Sequence, residues 1–336
     1  MHSFYFAQTS SFHIPQSHWF FLIIGVVGIL IFDLVTHVYK PHEPTVKESS
    51  LWLIFYVILA SLFGVYSAYF YSGDFAVEYF AVFLTEYALS VDNIFIFIVI
   101  MASFRLQRKY QQKALLYGIV IALVLRLVFI LLGATILEKF SFMFFIFAAY
   151  LIYTAISELR EGIAQPDEGD PENYEPNLVI RLASKFLPVT QGFVGDKIIV
   201  RRAKKTYVTP FFLCILSIGT ADLMFALDSI PASFGLSKHA FIIFSANAFA
   251  LMGLRQMFFL VDALLSRLAF LHYGLAVILG FIGVKLCLEA CHGMGWLVNV
   301  PMMSPMMSIV VVLSVLVVTV VSSLVYAGRK NEDQES

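Results

Sequence analysis

Residues 86–95 read EYALSVDNIF. They lie within an apolar run from about 79 to 101, which as a helix is long enough to cross the ~30 Å hydrocarbon core of a bilayer. Two carboxylates, Glu86 and Asp92, and the amide of Asn93 therefore fall where hydrocarbon is expected. What keeps them there decides both the fold and the function.

The rest of the chain frames that question. Of 336 residues, 60% are hydrophobic and 13% charged, and the mean hydropathy is +0.84, outside the range of soluble globular proteins. The composition implies an all-α polytopic membrane protein. A net charge of -1 excludes nucleic acid as a partner, because a phosphate-binding surface needs a basic excess. The three cysteines, Cys214, Cys287 and Cys291, form neither a disulfide framework nor a zinc pattern. No Lys or Arg precedes the first apolar segment and no small-residue cleavage site follows it, so it reads as a retained helix and not as a signal peptide.

Nine segments reach membrane length: 19–35, 51–70, 79–101, 114–132, 141–157, 208–231, 240–260, 270–290 and 306–327. Between the fifth and sixth lies a polar stretch with an acidic first half (Glu158, Glu161, Asp167, Glu168, Asp170, Glu172, Glu175) and a basic second half (Lys197, Arg201, Arg202, Lys204, Lys205). It reads as a partly ordered cytoplasmic segment. Positive flanks are retained in the cytoplasm. With the N-terminus outside, the inner connections and the tail hold seventeen of the 22 basic residues, the outer connections hold Lys139 and Lys238, and Arg126, Arg255 and Lys285 fall within spans. The expectation is a bacterial inner membrane protein with its N-terminus outside and its C-terminus in the cytoplasm.

Four acids lie within spans three and six: Glu86, Asp92, Asp222 and Asp228. Facing lipid as ions, they would together cost on the order of 10 kcal/mol. They must instead face each other, a cation, water or a base. Arg126, Arg255 and Lys285 are the bases available for charge pairing, and three bases cannot neutralise four acids.

Spans three and six also resemble each other. EYALSVDNI and DLMFALDSI each begin with an acid, carry an Asp six positions later and follow it with a side-chain oxygen, Asn93 or Ser229; spans four and seven each contain one Arg, in VLRLVF and GLRQMF. This pattern implies a repeat of three helices, 79–157 and 208–290, and an odd number of spans per unit inverts the second against the first. Such a plan places a substrate site near the midplane, where the units meet. The chain then divides into an N-terminal pair of helices (1–78), the first unit (79–157), a linker (158–207), the second unit (208–290) and a C-terminal helix with a tail (291–336).

Helix geometry limits the site. Residues six apart are turned by about 120° and separated by ~9 Å, so Glu86 and Asp92 cannot chelate one ion from an unbroken helix. Glu86, Ser90 and Asn93 share one stripe, and Asp222 and Ser229 share another. Antiparallel spans put Glu86 near the depth of Asp228 and Asp92 near that of Asp222. Two stations at different depths and one site around a broken helix both fit. Pro231, in DSIPA, is the candidate break, since it lacks an N–H and would free the carbonyl of Leu227.

The metal ligands expected from this pattern are Glu86, Asp92, Asn93, Asp222, Asp228 and Ser229. All offer hard oxygen donors, which suit Mn²⁺, Mg²⁺ or Ca²⁺ better than copper or zinc. Met224 is a soft donor beside Asp222, CLEACH (Cys287, Glu289, Cys291, His292) is a weaker candidate for a soft metal, and Asp33 lies near the inner end of span one.

EYALSVDNIF, ADLMFALDSIPA, NAFALMGLRQMFFL and HYGLAVILGFIGVK resemble the signature segments of the TerC family of integral membrane proteins, and within it the Alx-like branch. The resemblance runs from the Asp33 region through span eight. It implies Mn²⁺ export, with the family's acidic motif residues falling on Glu86, Asp92, Asn93, Asp222, Asp228 and Ser229. One departure is Gly219, in IGTAD, where many relatives carry a Glu; this puts the cytoplasmic loading step or proton coupling in doubt. The expected function is Mn²⁺ efflux by alternating access with counter-transported protons, with the lipid bilayer and a divalent cation as partners, no resident cofactor and no enzymatic activity. The rivals are an intramembrane aspartyl hydrolase, an assembly factor linked to tellurite or pH stress whose charges only hold a complex together, and a transporter of another ion such as Ca²⁺.

Overall fold

A computed structural model describes residues 14–38, 44–140, 142–163, 187–190, 192–202, 205–264, 270–294, 296 and 303–335. Among these, the chain forms nine α-helices and one β-hairpin: α1 Gln16–Asp33, α2 Val46–Phe70, α3 Gly73–Ser103, α4 Arg108–Lys139, α5 Met143–Ile163, β1 Ile199–Arg202, β2 Lys205–Val208, α6 Pro210–Leu236, α7 Ala240–Leu264, α8 Leu271–Gly293 and α9 Pro305–Glu335. The fold is an all-α polytopic membrane bundle.

Among the described residues, eight helices are long and apolar enough to cross a membrane. The ninth expected span, 79–101, lies within α3, whose 31 residues include Asp74, Glu78, Glu86 and Asp92. Polar side chains cap the helix starts, and α2 and α3 begin before their apolar runs. Thr45 accepts from the Glu48 N–H at 3.2 Å, Ser72 from that of Phe75 at 3.3 Å, and Thr209 from that of Phe212 at 3.4 Å, with Pro210 in the first turn of α6. Each oxygen satisfies an N–H that has no partner within its helix.

The centre of the bundle is α7. Its membrane-length stretch is buried throughout. α2 and α3 pack against it, Trp19 of α1 lies on Phe241 and Phe244, and α4 touches it from another side. α3 packs on α7 while α4 packs on α6, and α5 lies along α8. The outer helices α1, α2 and α9 leave large apolar side chains such as Phe21, Leu51 and Val318 exposed, the arrangement suited to lipid.

The approach of α4 to α6 depends on two glycines. A Cβ at Gly118 would lie 2.5 Å from Ile218 Cγ2, and one at Gly219 would lie 2.9 Å from Ile121 Cγ2. Gly219 thus has a packing reason on this chain: a longer side chain would force α4 away from α6.

Where it is described, the linker is ordered. α5 continues to Ile163, past the expected boundary at 157. β1 and β2 pair antiparallel, Ile199 opposite Val208, and Thr209 Oγ1 donates to the Lys197 carbonyl at 2.5 Å, joining hairpin to helix. Lys113 of α4 reaches Asp196 at 2.6 Å. That ammonium holds the Asp196 carboxyl below its ordinary pKa. Residues 164–186, with most of the acidic half, lie outside the described residues.

Candidate functional site

Arg126 is the organising side chain. It projects from α4 into the contact with α3, α6 and α7 and is 1% exposed. Its Nε and Nη2 meet the two oxygens of Asp222 at 3.1 and 3.3 Å, a forked pairing that matches the planar guanidinium. Its Nη1 donates to Glu86 Oε2 at 2.6 Å, Asn247 Oδ1 at 2.5 Å and Ser229 Oγ at 3.3 Å. The second Glu86 oxygen accepts from Ser233 Oγ at 3.0 Å. Every member of this group is buried, so the acids are tolerated in the apolar interior by hydrogen bonding and by one shared positive charge.

The structure brings Glu86, Asp222 and Ser229 together, with Arg126 as their counter-charge. Asp228 and Asn93 stand apart from them. They line a cavity of about 60 Å³ between α3, α5, α6 and α8, together with Leu89, Glu158, Phe225, Leu275 and Leu279. Thr154 donates to Asp228 Oδ1 at 3.2 Å. The Asp92 side chain lies outside what is described. Among the described residues, no three His, Cys, Asp or Glu side chains form a ready metal cluster.

Two of the expected charge pairings are different. Among the described side chains Arg255 does not reach Glu86, Asp222 or Asp228; its Nη2 meets Asp33 Oδ1 at 2.8 Å, and Tyr56 donates to the same oxygen at 2.5 Å. Lys285 donates to Ser308 at 3.1 Å, with the Glu289 and Glu78 carboxylates close enough to act on its charge. The physical reason is reach: each base takes the nearest oxygen on the helix that packs against it, α1 for Arg255 and α9 for Lys285.

Pro231 does not break its helix. α6 runs unbroken from Pro210 to Leu236 with Pro231 buried inside it, and the last turn closes with Ser237 N–H on Ser233 O at 2.9 Å. A proline removes one bond from the ladder, and packing on both sides holds the rest. Met224 is exposed on the outside of the bundle, so its sulfur faces away from the site. In CLEACH, Glu289 pairs with Lys238 at 3.1 Å and His292 Nδ1 lies 3.0 Å from the Leu288 carbonyl.

Sequence reasoning missed Asn247, Ser233 and Glu158. Asn247 carried a signal, as an amide within a membrane-length apolar segment. Ser233 lies four residues after Ser229, one turn along the same stripe. Glu158 was counted with the linker because the apolar run ends before it.

Membrane-length helices packed around a sealed cluster of carboxylates, amide, hydroxyls and one guanidinium define a multi-pass integral membrane protein. The chain belongs to the integral membrane protein TerC family, whose model matches residues 71–331. Its relatives include an uncharacterized membrane protein of Mycobacterium tuberculosis (strain CDC 1551 / Oshkosh), 44% identical over 277 residues, 82% of this chain and 68% of that protein. One from Rickettsia bellii is 37% identical over 268 residues, 80% of this chain and 87% of the other. One from Myxococcus xanthus is 31% identical over 307 residues, covering 91% and 92%. No solved structure matches the chain.

Proposed function

We propose that this protein is a transporter that exports a hard divalent cation, Mn²⁺ first among them, across the bacterial inner membrane. The observation that carries this reading is the meeting of α3 and α6 around oxygen donors of two kinds. Glu86, Asp222 and Ser229 are clamped by Arg126, while Asn93 and Asp228 border a cavity beside them. Family membership is consistent with transport, and the oxygen-only donor set favours a hard cation. The clamp leaves one carboxylate charge in excess if both acids are ionised, which a cation or proton would offset.

The crosswise packing of α3 on α7 and α4 on α6 is the relation that two inverted units, 79–157 and 208–290, would produce. On this reading the N-terminus is outside, α3 is the ninth span, and alternating access exchanges Mn²⁺ for protons. Arg126 keeps Glu86 and Asp222 tolerable between cargoes and yields them when a cation arrives.

The test is metal uptake by inverted vesicles, Mn²⁺ compared with Ca²⁺, Zn²⁺ and Mg²⁺. Uptake should favour Mn²⁺ and be lost in Asp228→Ala and Asp222→Asn. Uptake that persisted in both variants would sink the site. A second reading is favoured by one observation: Arg126 already satisfies Glu86 and Asp222, as charges that only hold a bundle or complex together would be satisfied. It predicts that these vesicles move no metal at all.

A further inference from the structure

The cavity between α3, α5, α6 and α8 is bordered by a carboxylate that nothing in the sequence assigned to a site. Glu158, at the far end of α5, lines it together with Asp228 and Asn93. The carboxylates of Glu158 and Asp228 border the same cavity. A cavity of about 60 Å³ has room for a metal ion with a water or two.

The amide of Asn93 is the independent sign of a ligand. It is 4% exposed, borders the cavity, and has no hydrogen-bond partner among the described residues. The amide opens onto the cavity and is available to whatever occupies it. Two carboxylates facing one amide fit a dication, because charges of -2 and +2 cancel in a low-dielectric interior whereas a monovalent ion leaves one negative charge uncompensated.

His272, near the start of α8, fixes Glu158. Its Nδ1 lies 2.9 Å from Glu158 Oε2, an arrangement that orients a carboxylate toward a metal on its other side. Thr154 holds Asp228 in the same way from α5.

We propose that Glu158 is a ligand of the transported dication, acting with Asp228 and Asn93 at this cavity, and that His272 is its positioning residue. The proposal rests on the transport reading above. It makes the cavity a cation station separate from the Arg126 cluster.

The experiment is a titration of the purified full-length chain in lipid nanodiscs with MnCl₂ alone, reading free Mn²⁺ by its paramagnetic resonance signal. Glu158→Gln should weaken Mn²⁺ binding tenfold or more, Glu158→Asp should recover it to within about threefold of wild type, and Asp196→Asn, in the linker, should leave it unchanged. His272→Gln should weaken binding in the wild-type background and have no further effect beside Glu158→Gln, the coupling expected of a residue acting through Glu158. Wild-type affinity in Glu158→Gln, with binding lost in Asp228→Asn, overturns the Glu158 assignment and leaves the transport reading standing. Loss of binding in both Glu158 variants together with a lowered thermal midpoint assigns Glu158 to folding and also overturns it. A wild-type chain that binds no Mn²⁺ removes both.

Discussion

Arg126 and Glu86 lie on neighbouring helices of the same half of the chain, yet their contact, 2.6 Å from Nη1 to Oε2, is completed from the other half by Asp222, Ser229 and Asn247. One guanidinium therefore serves two carboxylates and joins α3, α4, α6 and α7 at a single point. The bundle cannot be pulled apart there without exposing a bare charge to an apolar interior.

Removing that charge should be costly. Arg126→Leu leaves Glu86 and Asp222 facing each other without a counter-ion, and breaking a buried pair in this way costs about 3–5 kcal/mol. A thermal or detergent denaturation series should show a large loss for Arg126→Leu. Adding Glu86→Gln and Asp222→Asn to the same chain should restore much of it.

The Asp33–Arg255 pair should behave differently from its partner hydroxyl. Asp33→Ala strands the fully buried Arg255 and is expected to cost about 3 kcal/mol or more. Tyr56→Phe removes only the hydroxyl donor to the same carboxylate, worth about 1.5–3 kcal/mol for a bond to a charged group. A double-mutant cycle measured by unfolding in detergent checks the ranking, and equal losses would contradict it.

Gly118 and Gly219 set the distance between α4 and α6. Alanine at either should destabilise by about 1–3 kcal/mol through overpacking. Ile218→Ala should relieve Gly118→Ala, because the clash is with that side chain, while it should do little for Gly219→Ala, which meets Ile121.

The hairpin anchor should depend on pH. Lys113 holds the Asp196 pKa below its ordinary value, so the ion pair adds stability above the ordinary carboxylate range and loses it as the pH falls through the lowered pKa of the folded state. Both groups are partly exposed, and the effect is less than about 1 kcal/mol. Proteolysis of the 187–208 region should therefore accelerate only in acid. In Asp196→Asn it should be faster at neutral pH and no longer respond to acid over that range.

The amino-acid sequence alone was enough for the class of fold and the identity of the charged residues. Membrane-length apolar runs leave few architectures open, because every backbone N–H and C=O in lipid must be satisfied within a helix. The acids in EYALSVDNIF and DLMFALDSI announced themselves for the same reason: hydrocarbon makes a charge conspicuous. That Arg126 would face carboxylates followed from depth and count.

Tertiary structure decided which charge meets which. Arg126 and Arg255 occupy matching places in similar motifs, yet one binds Glu86 and Asp222 while the other binds Asp33, because α1 packs on α7 and brings Asp33 within reach. Periodicity places a residue on a face and says nothing of the neighbour opposite. The same limit hid Glu158, which belongs to the polar linker by composition and to the cavity of Asn93 and Asp228 only once α5 lies along α8.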